Sequence, residues 1–179
     1  MFVIVVGGGK VGTYLASLLL SEGYQVKVIE MRDEEIPRLQ RDLSPEVVYH
    51  GNGTDPNVLE AAGIRNANVV AAVTGADETN LVVSSLARFE FKVARIIGRV
   101  NNPKNAWLYT PEMGVDVALN QADLIARLVA EEMSLGDMMT LLKLRKGQYS
   151  LVEEKVHPAS VAAGKAVHEL NLPIEVVLI

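Results

Sequence analysis

Gly7, Gly9 and Gly12 fall at the spacing Gly-x-Gly-x-x-Gly, directly after the β-branched run Phe2–Val6 and at the opening of a helical pattern. At that spacing the first glycine permits a tight turn, and the second lets a pyrophosphate approach the backbone. The third lets the helix pack close to the strand. Unpaired N–H groups and the positive end of the helix dipole would then face phosphate oxygens. Gly8, Lys10 and Val11 complete the turn. Lys10 invites a magnesium-triphosphate loop, but Val11 stands where such a loop requires Ser or Thr, which excludes it. Lys10 either leans over a phosphate or faces water.

Further candidates follow in register. Glu30 ends the second β-branched run, 18 residues after Gly12, where a carboxylate can accept both hydroxyls of an adenosine ribose. Its charge would repel a 2′-phosphate, which favours NAD(H), or ADP/ATP, over the 2′-phosphorylated cofactor. Met31 and Arg32 share this loop, and Arg32 is the one feature pointing the other way. Asn52, Gly53 and Thr54 follow the third run; Asn52 suits an adenine edge, and Thr54-Asp55 before Pro56 suits a helix cap. Thr74, Gly75 and Ala76 follow the fourth run, with Asp77 expected as a cap and Asn80 expected to face the crevice. Arg99, closing the fifth run, is the cation that the pattern brings to a phosphate.

The elements that must hold these residues are short strands alternating with helices. Strands are expected at Phe2–Val6, Gln25–Glu30, Val47–His50, Val69–Val73, Ala94–Gly98 and Asp116–Leu119. Helices are expected at Gly12–Glu22, Asp33–Leu43, Pro56–Ala62, Glu78–Phe91, Pro103–Tyr109 and Gln121–Ser134. This βαβαβ rhythm, written twice with fully apolar strands, predicts an α/β fold: a doubly wound, Rossmann-like parallel sheet in the order 3-2-1-4-5-6. Its switch point lies between the first and fourth strands, where the glycine turn and Thr74 meet. After residue 135 the rhythm changes to a hairpin (Thr140–Leu144, Tyr149–Val156), short helices near Pro158–Ala163 and Ala166–Leu170, and a strand Glu175–Ile179. We therefore expect residues 1–120 as the nucleotide-binding domain, 121–138 as a crossover helix, and 139–179 as a small, incomplete α+β module. The apolar stripe Leu124, Ile125, Leu128, Val129 and Met133 on the crossover helix suits packing on its own sheet or crossing to a second subunit.

Composition narrows the chemistry. The 179 residues are 49% hydrophobic and carry a net charge of −5, with no basic block to grip nucleic acid. Cysteine is absent, which removes disulfides, thiol catalysis and Cys-based metal sites. His50, His157 and His168 form no metal-ligand spacing. No apolar run approaches the roughly 18–20 residues of a membrane span, so direct membrane insertion is not expected. A hydride-transfer enzyme would need an acid–base group and a substrate domain. No Tyr-x-x-x-Lys pair exists, so the residues favour a binding module over an oxidoreductase.

The combination of Gly7–Gly12, Glu30, the Gly51–Pro56 loop with Val58–Ile64, Ala72–Asn80, Arg99 and Gly114–Val117 resembles the TrkA-N family. That family is also called the RCK or KTN domain, and the likeness covers about residues 1–135. Residues 140–179, with Val161–Lys165 and Leu170–Pro173, resemble the opening of a TrkA-C module. Asn52 stands where the family frequently has an acid. The resemblance implies a non-catalytic subunit that binds NAD(H) or ADP/ATP through Gly7 to Val11, Glu30, Thr74-Gly75 and Arg99. It also implies assembly into homodimers or higher rings at the cytoplasmic side of the membrane, where the subunit gates a membrane-embedded potassium channel or transporter. The alternative reading is an NAD-dependent oxidoreductase fragment lacking its substrate domain.

Overall fold

The computed structural model describes residues 1–133, 138–144, 149–154 and 156–170, with side chains described for 1–130 and 156–170. The chain divides into two compact units, Met1–Ile125 and Ala126–Ile179.

In the first unit, β1 (Phe2–Val6), β2 (Gln25–Glu30), β3 (Val48–His50), β4 (Val69–Ala72), β5 (Arg95–Val100) and β6 (Val117–Asn120) form one sheet. Their order is β3-β2-β1-β4-β5-β6 and every pairing is parallel, as the alternating pattern predicts. Successive residues of β1 serve opposite layers. Ile4 and Val6 join Leu59 of α3 (Pro56–Ala61) and Val83 of α4 (Asp77–Ser85) on one face. Val3 and Val5 join Ala16 of α1 (Lys10–Ser21) and Leu39 of α2 (Ile36–Leu43) on the other. Ile4, Leu39, Leu59 and Val83 are fully buried, and burial of each such side chain contributes about 1.5–3 kcal/mol. Coverage on both faces leaves the ends of the strands as the place where a ligand can reach the backbone.

Five expected helices depart, wholly or in part, from the α form. Asp33–Glu35 is a 3-10 turn leading into α2, and Pro103–Leu108 is a 3-10 segment. Helix α4 ends at Ser85 and continues as a π turn over Leu86–Glu90. That turn closes with the Phe91 N–H on the Leu86 carbonyl and with Lys92 in the left-handed region, which lets both Phe91 and Val93 enter the core. Pro158–Ala163 forms turns in place of the expected helix, and only Val167–Glu169 of the next one is helical, as a 3-10 turn. Strand β5 lies slightly later than expected, so Arg99 is its penultimate residue rather than just beyond it.

In the second unit, β7 (Met138–Leu144) and β8 (Tyr149–Glu154) form the expected antiparallel hairpin. The Lys146–Gln148 turn and the strand expected at Glu175–Ile179 lie outside the described residues. Helix α5 (Gln121–Met133) begins in the first unit where the pattern predicts, and Ser134 lies outside the described residues.

Candidate functional site

The glycine turn is shaped by two contacts that tolerate no side chain. Gly7 has φ +108°, and a Cβ there would lie 2.9 Å from the Thr74 nitrogen; a Cβ on Gly12 would lie 1.8 Å from the Gly7 carbonyl oxygen. These two positions weld the start of α1 to the end of β1. A Cβ on Gly9, the N-cap of α1, would meet nothing within 4 Å, so its backbone is open to the cleft.

Beneath this turn runs a closed ring of polar contacts. The Gly8 N–H donates to Glu30 Oε2 at 2.8 Å, and Arg32 reaches the same carboxylate through Nε (2.9 Å to Oε1) and Nη2 (2.8 Å to Oε2). Arg38 donates to Glu35 at 2.8 Å and to the Gly8 carbonyl at 2.8 Å, while Arg32 Nη1 stands 3.8 Å from Glu35. Glu30 also accepts the Met31 and Arg32 N–H groups and is only 4% exposed. Burial pushes its carboxyl up, but the Arg32 side chain and the Arg32 and Gly8 N–H groups outweigh that and hold it at about 2. Glu30 is therefore ionised at neutral pH and has no proton to transfer.

Across the switch point, the Thr74 loop is clamped to β5 by one amide. Asn80 accepts the Thr74 N–H at 2.9 Å and the Thr74 hydroxyl at 2.7 Å, and donates to the Arg99 carbonyl at 2.8 Å. Asn80 is fully buried. The expectation that it faces the crevice is corrected: its amide is consumed in fixing the spacing of the two segments that do. Asp77 is corrected likewise. Ala76 occupies the N-cap of α4, and the Asp77 carboxylate accepts the N–H groups of Asn101 (2.6 Å) and Asn102 (2.9 Å), the Asn105 amide (2.8 Å) and the Tyr109 hydroxyl (3.1 Å). Burial opposes its charge, but these donors prevail and bring it to about 2. Burial and the facing Asp77 charge push the Tyr109 hydroxyl up. Asp77 thus straps the segment after β5 against the start of α4.

These segments enclose a cleft of about 420 Å³ at the carboxyl ends of the strands, the size class of a small-molecule site. Of the expected residues, Gly7, Gly9, Glu30, Met31, Arg32, Asn52, Gly53, Thr74, Gly75, Ala76 and Arg99 line it. Gly8 and Gly12 are buried behind the turn, as supports. Lys10 and Val11 are exposed on α1 outside the lining, and Thr54 bonds to the Asn52 carboxamide oxygen through its N–H and hydroxyl. What Asn52 retains for an adenine edge is its amide nitrogen. Asp55 caps α3 by accepting the Asn57 N–H at 2.8 Å. Val6, Ile29, Gly51, Val73 and Thr79 also line the cleft, although the spacing argument does not single them out. Val6 and Ile29 are the last apolar residues of β1 and β2, and Val73 directly follows β4; their composition signals burial and gives no sign of the opening beyond.

Arg99 is the distinctive element. It lines the cleft, enters no salt bridge among the described residues, and its Nε is buried without a hydrogen-bond partner. A buried donor left unmatched costs about 1–3 kcal/mol, and the guanidinium as a whole carries a charge that no salt bridge among the described residues offsets. Among the described residues no group of three His, Asp or Glu side chains could hold a metal, and no helix is long and apolar enough to cross a membrane.

Comparison with known proteins agrees with this fold. Residues 3–121 match the TrkA-N domain family. The Trk system potassium uptake protein TrkA of Mycobacterium tuberculosis is 35% identical over 180 residues, covering all of this chain and 80% of that protein. The crystal structure of the TrkA-N domain of inner membrane protein ybaL from Escherichia coli superposes with TM-score 0.66 at 22% identity, over 74% of this chain and 96% of that one. GsuK bound to ADP superposes at 0.64 with 23% identity, over 74% of this chain and 34% of that one. The GsuK channel bound to NAD superposes at 0.61 with 22% identity, over 78% and 26%. Joined to the sheet order and to the cleft at its switch point, the match over residues 3–121 makes this chain a member of the TrkA-N domain family.

Proposed function

We propose that this chain is a non-catalytic, nucleotide-sensing regulatory subunit. In this reading it binds the adenosine diphosphate moiety of NAD(H) or of ADP/ATP, assembles into dimers or higher rings, and gates a membrane-embedded potassium transporter from the cytoplasmic side. The observation that carries the reading is Arg99, which lines the cleft without a salt bridge among the described residues and with its buried Nε unpartnered, together with the amide-rich glycine turn and Glu30 behind it. Phosphates supply the anion that Arg99 lacks, and the helix α1 N-terminus adds N–H donors. A ribose supplies the diol that suits Glu30. The relatives support the same reading, since GsuK is known in structures bound to ADP and to NAD and the Mycobacterium tuberculosis protein is named for potassium uptake.

Gating follows from linkage. A nucleotide moves a ring only by the difference between its affinities for two ring shapes, and a hundredfold difference corresponds to about 2.7 kcal/mol per site. In the proposed arrangement the phosphates bridge the glycine turn and Arg99, so ligand charge and length set how the segments around the cleft stand. Calorimetry with NAD, NADH, ADP and ATP tests the reading. All four bind the wild type, Arg99→Ala weakens each about tenfold or more, and Glu30→Ala abolishes binding of all four because they share the adenosine ribose. Absence of heat with all four nucleotides on the wild type would overturn it.

A further inference from the structure

The Glu30 carboxylate is already saturated from within the chain. Three of its donors are backbone N–H groups of Gly8, Met31 and Arg32, fixed by the strand end and the glycine turn. The other two are Arg32 Nε on Oε1 and Arg32 Nη2 on Oε2, at 2.9 and 2.8 Å. A carboxylate offers about four lone-pair directions, so a ribose diol cannot simply be added. A diol also brings two donors, one for each oxygen, in the same pattern as the arginine fork. The exchange of one for the other leaves the number of hydrogen bonds on Glu30 unchanged.

The two partners differ in freedom. The Glu30 side chain is 4% exposed and the Arg32 side chain 46%, so the arginine is the one that moves. It has somewhere to go. Glu35 Oε1 lies 3.8 Å from Arg32 Nη1, and Glu35 is itself fixed by Arg38, which donates to the Gly8 carbonyl. The attraction of Glu35 and of Glu34 acts on Arg32 in the same direction.

We propose that Arg32 is a built-in competitor for the ribose diol: its guanidinium occupies Glu30, yields to the 2′- and 3′-hydroxyls of an incoming nucleotide, and pairs with Glu35 when displaced. This rests on the reading of the cleft as an adenine-nucleotide site. Arg32 acts as a specificity device, because a ligand lacking the diol gains nothing by displacing it and leaves it in place. Its removal strengthens diol-bearing ligands selectively, which a merely structural ion pair would not do.

Calorimetry of ADP and of 2′,3′-dideoxy-ADP on the wild type, Arg32→Ala and Arg32→Gln tests the proposal, with thermal melts to verify folding. The expected result is that both variants bind ADP about three- to tenfold more tightly than the wild type while the dideoxy compound is unchanged. ADP binding that is unchanged or weakened in both variants overturns the competitor role while leaving the cleft reading intact. An equal gain for ADP and the dideoxy compound also overturns it, because the effect would then be general charge removal. Failure of both ADP and NAD to bind wild type and variants alike overturns the cleft reading and the competitor together.

Discussion

Glu30 serves two structures at once, tying Gly8 into the glycine turn and presenting a charged edge to the cleft. Its carboxyl is held at about 2 against an ordinary 4.5, and Asp77 at about 2 against 3.8. In both cases the folded state binds a proton less readily than the unfolded chain. The stability they contribute is therefore complete above about pH 5 and is lost as pH falls through about 2. Urea denaturation midpoints should decline over that window, and Glu30→Gln should flatten the decline while lowering the midpoint at pH 7. The places of Glu30 and Arg99 at the cleft are legible in the sequence because topology alone brings strand ends together. Asp77 departs from its expected cap because a capping preference is local, and Asn80 departs from its expected place in the crevice because its amide is taken up by Thr74 and the Arg99 carbonyl. The partners that claim them instead, Asn101, Asn102, Asn105 and Tyr109 for Asp77 and Arg99 for Asn80, come from a segment far along the chain.

At the scale of elements, the close weld of α1 to β1 and the strap from α4 to the segment after β5 hold the two walls of the cleft. Gly12→Ala would place a methyl against the Gly7 carbonyl oxygen, and backbone cannot retreat as a side-chain tip can. A loss of about 2 kcal/mol or more in unfolding free energy is expected by urea denaturation. Asp77→Ala leaves the Asn101 and Asn102 N–H groups and the Tyr109 hydroxyl without their acceptor, and a loss of about 1–3 kcal/mol is expected in the same assay. The strands were legible because β-branched runs bounded by glycine and polar loops have no competing reading. The π turn at Leu86–Glu90 was not, since its cause is tertiary: one extra residue per turn is what carries Phe91 and Val93 into the core.

For the whole molecule, the fold explains where a ligand sits, and the proposed assembly concerns what that ligand moves. On α5, Leu124, Ile125, Leu128 and Val129 are each about half exposed, a continuous apolar stripe that a second subunit would cover in the proposed dimer. Leu128→Asp is expected to shift the protein from dimer to monomer in sedimentation at micromolar concentration with its melting transition retained; a wild type that sediments as a monomer would count against the assembly. The account rests most directly on the cleft itself, and a crystal structure of the protein grown with ADP tests it. The expected result is a diphosphate lying between the Gly7–Gly9 turn and Arg99, with a phosphate oxygen within hydrogen-bond distance of the Arg99 guanidinium and the ribose hydroxyls on Glu30. ADP bound elsewhere on the chain, or a cleft without nucleotide at saturating ADP, would contradict it.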